Sequence, residues 1–284
     1  VPDNLHTSEA VSAALSGMQA IDFQGPDALA FAHAQFASDV NALQVGRWHW
    51  SAWLTAKGRV IAVLLLCRLG EERLLALLPD GDAEEIAGQL RRFVFRRKLT
   101  IVPRADLHFR GHFAAAIAAA GNALAVEGTR IELDVGAPQL PRALVVDAGA
   151  VAADPAFERR WREADLRLGL PRLEASQREH WTPQQIGLDR LNAYSVKKGC
   201  YPGQEIVART HFLGKAKRTA QLLEVPPGTA AGDEVRRQGQ PVGSVASVAG
   251  GIALAVLPID AGDEGLSIGD AAVRALPLVE GLAR

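Results

Sequence analysis

The apolar run Val60 to Cys67 is eight residues, and no uninterrupted apolar run in the chain is longer. That falls far short of the roughly 18 residues a membrane-crossing helix needs, and it suits a buried strand. Turn signals bracket it, Ala56-Lys57-Gly58 before and Gly70-Glu71-Glu72 after. Three successive strands are therefore expected: Trp48 to Leu54, Arg59 to Leu69 and Arg73 to Leu78. Upstream, Met18 to Phe23 reads as a short strand. Gly25-Pro26-Asp27 then opens a helix with Leu29, Phe31, Ala32 and Phe36 on one face, its Pro at a tolerated first-turn position. Downstream, Asp80-Gly81-Asp82 caps a helix to about Phe95, and Leu99 to Val102 returns to strand. This order lacks regular alternation. It predicts an α+β fold with antiparallel sheet, not a doubly wound one.

Residues 105–150 carry weaker signals. Ala114 to Ala120 is alanine-rich and ends at Gly121, while Arg130 to Val135 and Arg142 to Val146 resemble strands. A helix from about Pro155 to Leu168 is stopped by Gly169 and Pro171, and a short one begins at Thr182-Pro183. From Thr219 the texture changes to short β-like runs separated by Pro226-Pro227-Gly228, Gly232-Asp233, Gln238-Gly239 and Gly250-Gly251. That pattern predicts a small barrel or sandwich. A boundary near residue 217 divides the chain into 1–216 and 217–284.

With 48% hydrophobic residues in 284, the chain can build a sizeable core and does not read as disordered. Acidic and basic residues nearly cancel, 32 against 31, which argues against a main task of coating nucleic acid or a membrane. Two cysteines are no disulfide framework, and Val1 to Ala10 shows no basic-then-apolar signal pattern. A cytoplasmic globular protein is expected. Only six basic residues are lysine, and four of them, Lys197, Lys198, Lys215 and Lys217, fall in one short stretch. Arginine cannot replace an ammonium whose pKa is to be tuned. Chance clustering on a solvated loop is the other reading.

Those lysines adjoin Cys200. In Lys197-Lys198-Gly199-Cys200-Tyr201-Pro202-Gly203-Gln204-Glu205, two glycines and a proline hold a tight, non-repeating path around a lone thiol. Adjacent lysines stabilise a thiolate, and a helix starting near Gly203 adds its positive end if it points at the sulfur. The residues alone fit either an activated, accessible thiol or a semi-buried cysteine in an ordinary turn. Cys67, inside the apolar run, reads as core. Two unrelated cysteines cannot hold an iron–sulfur cluster, so any cluster contact would be transient or shared with a partner. His108 and His112 are four apart, but Gly111 breaks a helix and no third ligand is near, so no metal site is expected. No Gly-rich phosphate loop or Gly-x-Ser-x-Gly elbow is present. Arg91 to Lys98 is basic with interleaved aromatics. It suits RNA, or more commonly an amphipathic element with its apolar side buried. Trp48, Trp50 and Trp53 offer stacking surfaces, with core packing the commoner fate of two of them.

The 198–205 segment resembles the signature of YgfZ-type folate-binding proteins, relatives of the glycine-cleavage aminomethyltransferase (T-protein). Phe23-Gln24-Gly25-Pro26-Asp27 with Ser38-Asp39-Val40, Ala56-Lys57-Gly58-Arg59-Val60, Arg167-Leu168-Gly169-Leu170-Pro171 and Thr182-Pro183-Gln184 extend the likeness over essentially the whole chain. The resemblance implies a two-lobed, antiparallel-sheet folate-binding part followed by a C-terminal β-barrel. It also implies tetrahydrofolate binding in the opening between the lobes, and a role with iron–sulfur proteins that affects tRNA modification. Under it Cys200 is the functional thiol and Lys198 its electrostatic partner. Gly199, Tyr201, Gly203, Gln204, Glu205 and Arg209 carry over with the motif, and Asp39 and Arg167 by segment. No membrane association or strong nucleic-acid binding is expected. The aminomethyltransferase has an aspartate pair where Ile61 and Ala62 stand here, and neither can titrate. A folate-dependent one-carbon transferase is the alternative, and an interaction module docking to RNA or modification enzymes a third reading.

Overall fold

The computed structural model describes residues 11–214, 217–260, 262 and 264–284. Val1 to Ala10 and Lys215 lie outside the described residues. In chain order the first part runs β1 (Ser12–Ala14), β2 (Gln19–Gln24), α1 (Ala28–Gln35), β3 (Arg47–Leu54), β4 (Val60–Gly70), β5 (Arg73–Leu78), α2 (Ala83–Arg91), β6 (Thr100–Pro103), β7 (His108–His112), β8 (Ala125–Glu127), β9 (Arg130–Asp134), β10 (Ala143–Asp147) and α3 (Pro155–Arg167). Two five-stranded antiparallel sheets result, ordered β3-β4-β5-β2-β6 and β1-β7-β10-β9-β8.

The first sheet is buried on both faces, which explains why β4 reads as a continuous apolar run. Ala62, Leu64 and Leu66 pack with α1 and α2, while Val63, Leu65 and Cys67 face the core shared with the second lobe. The same alternation sends Trp48 and Trp50 to the shared core and Trp53 to the helices, so all three tryptophans are buried. Asp82 and Asp154 cap α2 and α3 by accepting two backbone N–H groups each.

Two expectations need correction. α2 ends at Arg91, and the basic stretch after it is not an amphipathic element with a buried apolar side: Phe93 is 43% and Phe95 87% exposed. No α-helix forms at Thr182-Pro183. Gln185 Oε1 accepts from Thr182 N, Trp181 O accepts from Val60 N, and the path closes in turns leading to a 3₁₀ segment, Leu188–Leu191. Residues 108–112 form strand β7, with His108 exposed and His112 half-buried. Gly111 is required there because a Cβ would stand 2.8 Å from the Trp161 ring.

After α4 (Gln204–Arg209) come β11 (Arg218–Glu224), β12 (Glu234–Arg237), β13 (Gln240–Ala249), β14 (Ile252–Pro258), β15 (Leu266–Ile268), β16 (Ala271–Ala272) and β17 (Arg274–Leu276). They make one antiparallel sheet, β16-β15-β12-β13-β14-β11-β17, curled into a nearly closed barrel around Leu223, Val235, Val245 and Ala255. The tail then returns to the lobes, where Trp50 Nε1 donates to Leu282 O at 3.0 Å and Val279 N to Arg167 O at 2.8 Å.

Candidate functional site

Three segments of the family likeness, at Ser38, Gly58 and Gln184, meet the loop that carries Cys200 or the helix that follows it, whereas Phe23 to Asp27 and Arg167 do not. Ser195 starts the loop, its Oγ accepting from Lys197 N and Lys198 N at 3.2 Å and its backbone N–H donating to Ala37 O. Tyr201, buried, closes the loop by donating its hydroxyl to Ser195 O at 3.0 Å. Gly203 then takes φ +79° against the β3–β4 turn, where a Cβ would stand 2.6 Å from both Gly58 Cα and Thr55 O. Two glycines in unrelated motifs thus permit one backbone crossing. Gln184 fixes the other side, donating from Nε2 to Val207 O on α4 at 3.0 Å.

Lys198 is the interior anchor. It is only 7% exposed, and its ammonium donates to His33 O, to Phe36 O at 2.5 Å and to Ser38 O at 3.0 Å. These are carbonyls at and just beyond the C-terminus of α1, where a cation also meets the negative end of the helix. The Tyr201 ring covers the ammonium at 4.8 Å. Burial pulls the Lys198 pKa down to about 8, with Asp39 opposing the fall. All three protons have acceptors, so Lys198 has no further donor for a thiolate. It acts on its neighbour by holding the loop and by charge through space.

A polar cluster surrounds this anchor. His33 Nδ1 lies 3.5 Å from Asp39 Oδ1, an oxygen buried without a hydrogen-bond partner. Ser38 Oγ stands 3.0 Å from His49 Nε2 and donates to Ser51 Oγ at 2.6 Å. Burial drives the His49 pKa down to about 4, and Asp39 pulls against that shift. Sequence reading reached Ser38 and Asp39 only by segment and missed His33, His49 and Ser51. The available signal was the polar pair His49 and Ser51 set between the tryptophans of β3.

Cys200 is exposed at the loop surface, beside exposed Gly199, while Lys198 and Tyr201 on either side point inward. Gln204 is half-buried, and Glu205 and Arg209 are exposed on α4, a helix of six residues. Arg167 is not brought to this loop; it is exposed at the end of α3, its carbonyl bonded to the C-terminal tail. Ile61 packs against the α1–α2 core and Ala62 is buried in it. No group of three or more His, Cys, Asp or Glu able to hold a metal occurs among the described residues.

Between the lobes lies a second polar centre. Asp165 accepts from Arg142 Nη1 and Arg172 Nη1, both at 2.7 Å, and Arg172 continues to Asp80 at 2.8 Å and Pro79 O at 2.6 Å. Ser247 of the barrel accepts from Arg172 N at 3.0 Å. Both lobes and the barrel are therefore tied to one buried ion cluster, whose Arg142 guanidinium lies 4.4 Å from the Trp161 ring. For a reduced pterin the residue types fit. A buried carboxylate suits its amino-pyrimidinone edge, Arg142 Nε is buried and unpartnered, and Trp50 and Trp161 supply flat walls. The adjoining cavity of about 20 Å³ holds roughly one water, so the ring enters only if the walls part.

The comparisons with known proteins agree with this geometry. Residues 217–278 match the family of the CAF17 C-terminal beta-barrel domain. The tRNA-modifying protein YgfZ of Colwellia psychrerythraea is 29% identical over 227 residues, covering 74% of this chain and 70% of that protein. Its Vibrio vulnificus counterpart is 28% identical over 226 residues, covering 74% and 68%. The glycine cleavage system aminomethyltransferase T from Bartonella henselae matches with a TM-score of 0.71 at 16% identity, over 95% of this chain and 86% of that one. The chain is thus similar in sequence to YgfZ proteins and has an aminomethyltransferase-like fold.

Proposed function

We propose that this protein is a cytoplasmic, tetrahydrofolate-binding protein that assists the assembly or repair of iron–sulfur proteins, among them enzymes that modify tRNA, with Cys200 as its working thiol. The observation that carries this reading is the division of labour in the motif. Lys198 and Tyr201 are buried and fully engaged, whereas the cysteine between them is exposed and makes no hydrogen bond, ion pair or disulfide among the described residues. An exposed thiol without a polar partner of its own is free to act on another molecule. The sequence similarity to proteins named tRNA-modifying supports the setting, and the fold similarity supports the ligand.

In this reading Cys200 offers one thiolate to an incoming cluster or sulfur species whose remaining ligands belong to the client protein. Lys198 positions the loop and keeps a positive charge behind it, and Asp39 with His33 and His49 sets the charge balance around that lysine. Tetrahydrofolate, when bound, supplies a one-carbon acceptor. Asp165, Arg142 and Trp161 are the groups that would hold its ring. Aminomethyl transfer is disfavoured because Ile61 and Ala62 present no acid where the relatives' chemistry needs one. The test is replacement of Cys200 by Ala and by Ser in cells lacking the native protein. Loss of iron–sulfur-dependent tRNA modification with unchanged melting temperature supports the reading, and full activity of both variants overturns it.

A further inference from the structure

The segment after α2 is built in an unusual way. Arg92, Phe93 and Val94 turn back on the helix through N–H bonds to Gln89, Leu90 and Arg91, and Arg97 N closes a further turn on Val94 O. Val94 and Leu99 pack on the α1–α2 core and pin the segment from inside. Outside supports hold it as well. Asp27 Oδ2 accepts from Lys98 N at 2.6 Å, Arg91 Nε donates to Ile101 O at 2.9 Å, and Gly25 presses so closely that a Cβ would lie 2.9 Å from Leu99 Cα. On this rigid shelf Phe93 and Phe95 face solvent, 43% and 87% exposed. Phe95 does so from a left-handed backbone, φ +49°, which is unfavourable for a bulky side chain.

The cations complete the pattern. Arg91 lies 4.0 Å from Glu84, and Arg97 lies over the Phe31 ring. The side chains of Arg92, Arg96 and Lys98 have no hydrogen bond or ion pair among the described residues. Each exposed ring therefore has an unpaired guanidinium as its chain neighbour, Arg92 beside Phe93 and Arg96 beside Phe95. A ring face and a guanidinium match one unpaired nucleotide, its base stacking and its phosphate pairing. The shelf repeats that unit twice.

We propose that the 92–98 turn is a docking surface for unpaired RNA, taking about two consecutive nucleotides of a loop or single strand. Insertion into a lipid surface fits less well, because the one apolar residue between the rings, Val94, turns inward and a guanidinium stands beside each ring. The site is separate from the Cys200 loop and stands whether or not that thiol acts on iron–sulfur clients.

The experiment uses the full chain and a fluorescein-labelled single-stranded oligoadenylate, followed by anisotropy across a salt series. The native chain is expected to bind, with affinity falling as salt rises and with double-stranded RNA competing poorly. Replacing Phe93 and Phe95 by Ala weakens binding about 5- to 160-fold per ring. Replacing Arg92 and Arg96 by Ala lowers the magnitude of the log–log salt slope by about 1.4. Because these side chains are exposed, melting temperatures serve as the folding control. Oligonucleotide binding that all four replacements leave intact overturns the proposal. So does absence of oligonucleotide binding by the native chain, and binding to anionic phosphatidylserine vesicles in that case would identify a lipid surface as the occupant.

Discussion

Replacing Lys198 by Met separates the two roles that a lysine beside a cysteine can play. The substitution keeps an unbranched side chain, one heavy atom shorter, and removes the three donors that meet His33 O, Phe36 O and Ser38 O. A hydrogen bond from a charged donor contributes about 1.5–3 kcal/mol, and a buried acceptor left without one costs about 1–3 kcal/mol. Some of those carbonyls regain water when the loop loosens, so a total of roughly 3–5 kcal/mol is expected. Urea unfolding followed by tryptophan fluorescence reads this directly, with a midpoint about 1 M or more below the native chain. Lys198→Arg is expected to fall between, since a planar guanidinium cannot meet three converging carbonyls. Alkylation by iodoacetamide provides the second readout. Cys67 is fully buried, so Cys200 alone reacts in the folded chain. An unchanged urea midpoint with markedly slowed alkylation would refute the anchoring role and restore Lys198 as the thiolate's direct partner.

Gly203→Ala forces a Cβ to within 2.6 Å of Thr55 O at positive φ. It should lower the melting temperature by several degrees and raise proteolysis at the Cys200 loop, whereas a neutral effect would mean the hairpin contact is slack. Asp165→Ala leaves the Arg142 and Arg172 guanidiniums buried without their shared carboxylate, and a loss of about 3–5 kcal/mol is expected in the same unfolding assay. His49, with its pKa lowered to about 4, stays neutral in the folded chain while the unfolded chain protonates near 6.5. Stability should therefore fall by on the order of 3 kcal/mol as pH drops from about 6.5 to 4, and His49→Gln should flatten that decline.

What the sequence revealed, and what it hid, follows from the range of the interactions. The strands of the first sheet were legible because burial on both faces leaves nothing polar in β4 before Arg68, and Asp82 and Asp154 announce their helices through local caps. The stretch 114–120 was opaque for a tertiary reason. Its alanines are not helical, because the Glu132 carboxylate takes the backbone N–H groups of Ile117, Ala118 and Ala119. Lys198 could be singled out from sequence, but its partners are backbone carbonyls 160 or more residues away, which no side-chain pattern discloses. His33 and His49 escaped notice because a helix and a strand distant in sequence bring them to one lysine. The basic run Arg91 to Lys98 was visible in the sequence, but the exposure of Phe93 and Phe95 was not, because it is set by the turns that follow α2 and by the packing of Val94 and Leu99.

The central claim is that a rigidly held loop exposes Cys200 for work on a partner. Its most direct test is the iron–sulfur-dependent modification level of tRNA in cells carrying Cys200→Ser as the sole copy, alongside the melting temperature of the purified variant. The account predicts loss of modification at an unchanged melting temperature. Normal modification by a stable Cys200→Ser chain would contradict it.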